Sequence, residues 1–261
     1  MTVSMEQLTG WVTGFLWPFF RIAAVVTMAP ILGAKTNPVW FRIGIAAALT
    51  LVAMPLLPPG PGVDPVSAEG LLITLCQIVI GLAIGFVVRM AFAAIETGGA
   101  LIGQSMGLGF AQMMDPANGV TVPVISQFYT LMATLVFLGL DGHLVLIEVL
   151  VESFRVIPVS PHALGEQGLW LLLSWAGWIF KGAVIISLPA VAALLLVNIA
   201  FGVMSRAAPQ LNIFAIGFPV SLMLGFVFML VSLPLFAPQF SDLMNQAFIG
   251  IRGLIAEAPS G

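Results

Sequence analysis

The stretch Gly99 to Pro123, GALIGQSMGLGFAQMMDPANGVTVP, constrains this chain more than any other feature. It lies between two long apolar segments. Gly99, Gly103 and Gly107 recur at every fourth position, so on a helix they form one smooth stripe free of side chains. Met106, Met113 and Met114 follow, with Phe110 among them, and Asp115-Pro116 and Asn118-Gly119 then break the helix. An apolar, glycine-rich, interrupted segment at membrane depth is tolerated only where protein or a water-filled cavity surrounds it. The pattern predicts a lining or plug inside an assembly, over about residues 104–122.

The rest of the chain supplies the membrane. It is 60% hydrophobic and only 7% charged, against about 25% charged for ordinary soluble domains. Net charge is −3 and no basic run occurs, so nucleic acid is not an expected partner. The first residues, MTVSMEQLTGWV, lack the basic region of a signal peptide, and no cleavage is expected. Cys76, the single cysteine, sits in an apolar run and reads as a small buried hydrophobe.

Apolar segments fall near 8–32, 38–57, 71–103, 123–140, 168–204 and 213–237. The fifth either spans with tilt or is two helices bent at Pro189. Polar stretches are about 58–70, 155–168 and the tail after Pro238. A short segment over 141–156 differs: Leu144, Ile147, Val151 and Phe154 share one helical face, with Glu148, Glu152 and Arg155 towards another. Asp141 is its expected N-cap and Pro158 lies just beyond its end. The expected fold is therefore all-α, a membrane-associated helical protein of one domain over 1–261, with kinked helices and an interrupted central loop. Lys35, Arg42 and Arg206 fall on one side if six spans place both termini outside.

Charges sit inside the apolar segments: Arg21, Arg89, Glu96 and Lys181. Each costs about 2.5–3.5 kcal/mol at a bilayer centre. Four uncompensated together approach about 10–14 kcal/mol, comparable to the whole stability of a domain. They must face protein, water or one another, and Arg21 and Lys181 can instead snorkel from helix ends. Arg89 and Glu96 share a face of the third segment but stand about two turns, roughly 10 Å, apart, so each needs a separate partner. With Arg206, these are the candidate subunit-interface charges. Gly81 and Gly85 form one GxxxG pattern, and Gly99, Gly103 and Gly107 form two more, which predicts close helix packing. Prolines 18, 55, 189, 219 and 234 predict kinks that need neighbours to satisfy freed carbonyls.

No catalytic, cofactor-binding or metal constellation emerges. His143 and His162 do not pair at a metal spacing, and no nucleophile-elbow, phosphate-loop, zinc-protease or dinucleotide fingerprint occurs. Glu96 and Asp115 could form a carboxylate pair for proton relay, but Asp115 before Pro116 reads first as turn chemistry. The chain is not expected to be an enzyme. The alternative to a channel subunit is a small-solute transporter with a re-entrant loop. It calls for corresponding broken segments in two halves, and the echo between Gly99–Pro123 and Ala207–Pro219 is loose.

A late signature, FGVMSRAAPQLNIFAIGFPVSLMLG from Phe201 to Gly225, resembles the hallmark of the FliR family, whose injectisome counterparts are called SctT. Gly202, Arg206, Pro209, Gln210, Asn212, Phe214, Gly217 and Pro219 occupy its positions. Three further blocks agree: Arg21 with Met28 to Ile31; Gly103-Gln104, Met106-Gly107 and Asp115-Pro116; and Asp141-Gly142-His143 with Ser153-Phe154 to Pro158. One position departs. The family usually carries an acidic residue where this chain has Gln77, so a charge contact there is lost or replaced by a neutral hydrogen bond.

The resemblance implies a non-enzymatic subunit of the type III secretion export gate, without cofactors, packed in a helical hetero-oligomer with FliP-type and FliQ-type subunits and an FlhB-type subunit. It implies a bacterial inner membrane location at the flagellar basal body and unfolded flagellar proteins as cargo. Met106, Gly107, Phe110, Met113, Met114, Asp115 and Pro116 are then the pore plug, a compliant seal because methionine adapts to irregular gaps. The same methionines could simply fill core space. Pro209, Gln210, Asn212, Phe214, Gly217 and Pro219 mark a signature corner. There Arg206 can cap carbonyls, Pro209 can stop a helix and Asn212 can start the next.

Overall fold

The computed structural model describes residues 5–34, 36–109, 111–114, 121–162, 164–207 and 213–257. Its elements are α1 (Met5–Met28), α2 (Val39–Ala53), a 3-10 turn (Met54–Leu56), α3 (Ala68–Ser105), strands β1 (Gln112–Met114) and β2 (Thr121–Pro123), α4 (Val124–Gly139), α5 (Gly142–Val156), α6 (Glu166–Trp175), α7 (Gly177–Ala207) and α8 (Ile213–Ala256). The chain is helical, as its apolar segments predict. Among the described residues, four helical stretches are long and apolar enough to cross a membrane: 39–56, 68–105, 166–207 and 217–256.

Helix ends follow local chemistry. Ser67 caps α3: its hydroxyl accepts Gly70 N–H at 3.0 Å, while Asp64 Oδ1 accepts Val66 N–H at 3.0 Å and folds the preceding turn. Pro38 precedes α2 and Pro55 sits in the 3-10 turn beyond it, where a proline cannot continue the helix. Pro18, Pro189, Pro219, Pro234 and Pro238 all lie inside helices.

The chain divides into two compact units. One holds 1–90, 141–176 and 244–261; the other holds 91–140 and 177–243. In the first, α1 and α3 run in the same direction at close range. A Cβ on Gly81 would stand 2.7 Å from Ala24 Cβ, and one on Gly85 would stand 2.6 Å from Met28 Cβ. Larger residues at either position would force the helices apart. Trp17, Arg21, Ile22, Ile73, Ile80, Ile84 and Phe154 are fully buried here.

The second unit is built on aromatic contacts. Phe92 meets Phe137 and Phe240 edge-on, each at 5.6 Å between ring centres, and Tyr129 meets Phe236 at 5.5 Å. Gly98 and Gly182 bring α7 to α3: a Cβ on Gly182 would stand 2.9 Å from Ala94 Cβ.

Four expectations change. The fifth apolar segment breaks at Ala176, between α6 and α7, and α7 continues through Pro189. The tail after Pro238 is helix to Ala256, because Phe240, Leu243, Met244, Ala247, Phe248, Ile251, Leu254 and Ile255 repeat at helical spacing and are buried. Asp141 occupies the N-cap position of α5 but makes no side-chain cap hydrogen bond; it sits in the left-handed region at φ 55 and turns the chain instead. Finally, α5 buries Leu146, Val149, Leu150, Ser153 and Phe154, not the face through Leu144, Ile147 and Val151. Leu144 is exposed. The helix is turned so that Ser153 and Phe154 meet Arg21.

Candidate functional site: the central loop, its seat and a buried arginine

The central loop begins with a helix stop. Gly107 N–H donates to Gln104 O at 3.1 Å and Leu108 N–H donates to Gly103 O at 2.9 Å. Gly107 has φ 83, so this is a Schellman ending with glycine at the left-handed position. Gly107, placed by sequence in the small-residue stripe and the plug, has this backbone role as well. Gly99 and Gly103 instead face α4: a Cβ on Gly99 would stand 2.7 Å from Ser126 Cα, and one on Gly103 would stand 3.3 Å from Ile125 Cβ.

Met106 turns inward and is fully buried. Its side chain lies against Gly225 of α8, and the ring of Phe218 lies over Gly107. Beyond that root, β1 and β2 pair antiparallel, with Met113 opposite Val122 and Met114 opposite Thr121. Met113 and Met114 are 42% and 70% exposed. The three methionines thus have two different roles: one is an anchor and two are presented outward. The small hairpin is a local exception within the all-α fold, and the alternation of a broken segment rich in Gly and Pro masked its strand pairing in the sequence. Phe110, Asp115 and Pro116 lie outside the described residues, as do Asn118 and Gly119.

Arg21 does not snorkel. It is fully buried. Its Nε donates to Gln77 Oε1 at 2.8 Å, and Nη2 donates to the same oxygen and to Ile157 O at 3.0 Å. Nη1 donates to Ser153 O at 3.0 Å and to Ser153 Oγ at 3.2 Å. These bonds engage all five N–H groups that a guanidinium offers. Its carbon also stands 4.1 Å from the centre of the Phe154 ring. The two carbonyls belong to the last turn of α5 and its C-cap, where the helix dipole favours a cation. One side chain therefore ties α1, α3 and α5 together. Sequence reasoning singled out Arg21 and the departure at Gln77, but not that they meet.

The remaining candidates are placed as follows. Lys181 Nζ stands 4.0 Å from the Trp178 ring centre, a cation–π contact at an exposed position. Arg89 and Glu96 are half-buried in α3, and Arg206 is exposed in the last turn of α7. Gly217 is buried and Pro219 exposed on α8, while Phe214 falls in its first turn. Lys35, Pro209, Gln210 and Asn212 lie outside the described residues. Among the described residues, no group of three or more His, Cys, Asp or Glu could hold a metal ion. Gly225 and Phe218 were missed as site residues. The available signal was a glycine in the middle of an apolar run, at the end of the signature stretch.

The family described as bacterial export proteins, family 1, matches residues 12–247. The chain is 36% identical to the flagellar biosynthetic protein FliR of Escherichia coli (strain K12), over 99% of each chain. It is 28% identical to the Bacillus subtilis (strain 168) protein of that name, over 97% of this chain and 98% of the other. With the Aquifex aeolicus (strain VF5) protein of that name it shares 31% identity over 89% and 90%. The chain belongs to the bacterial export proteins, family 1, as a member of the FliR family.

Proposed function

We propose that this chain is a non-enzymatic subunit of the type III export gate that helps to form and seal the channel conducting unfolded flagellar proteins across the bacterial inner membrane. The relatives are flagellar biosynthetic proteins by name, which supports a flagellar basal body as its place. FliP-type and FliQ-type subunits, with an FlhB-type subunit, are the proposed neighbours. The chain is read as one FliR-type domain over 1–261, with α3 and α8 each contributing residues to both compact units.

The observation that carries the reading is the contrast within the central loop: a buried, tightly seated root at Met106 and an exposed methionine pair on β1. Soft, exposed apolar side chains on a strand beyond a fixed base suit a stopper that must yield to varied cargo. The bare flanks of the long helices agree. In the most apolar stretch of 166–207, and in that of 217–256, only 22% of the residues are buried within the chain. That leaves large apolar surfaces for sister subunits or lipid. Native mass measurement of the purified chain with its co-expressed neighbours tests this reading. A stable multi-subunit complex containing FliP-like and FliQ-like chains is expected; a monomer or symmetric homodimer without other subunits contradicts it.

A further inference from the structure

A glycine in mid-helix weakens it by about 1 kcal/mol relative to alanine, so Gly225 in α8 has a cause to be found. The cause is Met106. A Cβ at position 225 would stand 2.8 Å from Met106 Cε and 2.9 Å from its Sδ, where carbon atoms settle at about 3.5–4.0 Å. Two helical turns earlier, Phe218 places its ring 3.0 Å from where a Cβ on Gly107 would be. Gly107 itself is held at φ 83, which other residues rarely adopt. The chain therefore leaves α3 at a point fixed by side-chain seating, ring contact and backbone conformation together. Past that point the fixing is weaker. Val124 N–H donates to Ala111 O at 3.2 Å, three residue pairs form the hairpin, and all three residues of β1 are exposed.

Resting on the plug reading above, we propose that Gly225 is a positioning residue for the seal: its missing side chain admits Met106, and seated Met106 holds the hairpin across the conduit. Met106 keeps this seat whether the conduit is empty or occupied.

The test uses the assembled export complex and reads two quantities, complex yield and ion conductance. Gly225→Val fills the seat and evicts Met106; whatever its yield, the complex that assembles is expected to leak, per complex, as much as one lacking Gly107 to Asn118. Adding Met106→Ala to Gly225→Val vacates the space the valine needs and is expected to reduce the leak. A tight Gly225→Val complex beside a leaky loop deletion overturns the seat and leaves the plug standing. A loop deletion that does not leak overturns the plug, and the seat's role with it. A second measurement stands apart from conductance and from the fate of the valine. Met106→Cys with Gly225→Cys, in a Cys76→Ala background, is expected to cross-link equally in resting complexes and in complexes holding a stalled export substrate. A cross-link lost when the conduit is occupied overturns the fixed root.

Discussion

Arg21 Nε donates to Gln77 Oε1 at 2.8 Å, so a fully buried guanidinium is held by a neutral amide. The carbonyls of Ser153 and Ile157 at the end of α5 take the rest of the fork. Hydrogen bonds to a charged group contribute about 1.5–3 kcal/mol each, and an unpaired buried charge is costly.

Gln77→Leu removes the acceptor of two guanidinium N–H groups. It is expected to lower the stability of the purified complex by about 3–5 kcal/mol, the range for breaking a buried charged pair from one side. Gln77→Glu places a carboxylate beside the guanidinium and is expected to match or exceed the native chain. Thermal unfolding in detergent distinguishes them. Equal loss in both variants would mean that shape at position 77, not acceptance of the arginine, is what matters.

The exposed charges on α5 behave differently. Arg252 meets Glu152 at 3.1 Å and Glu148 at 3.6 Å, with all three side chains between 42% and 69% exposed. Exposed pairs contribute about 0–1 kcal/mol. Arg252→Ala is expected to shift unfolding by less than about 1 kcal/mol, far less than Arg21→Ala. A larger shift would show that partners in the assembly bury this cluster.

Glycine substitutions along α3 should be graded by what a new Cβ meets. At Gly99 it meets the backbone of α4, 2.7 Å from Ser126 Cα, which cannot give way. At Gly103 it meets only the Ile125 side chain, at 3.3 Å. Gly99→Ala is expected to cost about 1–3 kcal/mol through overpacking, and Gly103→Ala clearly less. Gly103→Leu has no such room and is expected to impair recovery of the complex. The yields of the three variants, measured side by side, check the order; a Gly99→Ala yield above that of Gly103→Ala contradicts it.

The methionines separate by role. Met113 and Met114 are exposed and contribute little to the folded chain, so replacing both with Ser is expected to leave complex yield unchanged and raise ion conductance. Met106→Ala removes a buried side chain and is expected to cost about 2–5 kcal/mol of stability. Conductance and unfolding measured on the same preparations decide it: loss of yield in the Ser pair would assign those methionines to packing.

Much of this was legible before any coordinates. Apolar length placed the helices, and glycine spacing found the close approaches at Gly81, Gly85, Gly99 and Gly103, because both depend on local pattern. The hairpin at 112–123 was hidden, since three-residue strands carry too short a pattern to read within a glycine-rich break. The buried face of α5 was misread because its rotation is set by Arg21, 132 residues away from Ser153. Pro238 suggested an end to α8, but the apolar spacing beyond it and its packing carried the helix on. The seat at Gly225 depends on a contact between α8 and the end of α3, which no local spacing encodes.

The most direct measurement is the ion conductance of the assembled complex in a planar bilayer, with and without Gly107 to Asn118. A loop that seals predicts a complex of normal composition that is tight when intact and steadily conducting when shortened. Background conductance in the shortened complex would contradict the sealing role.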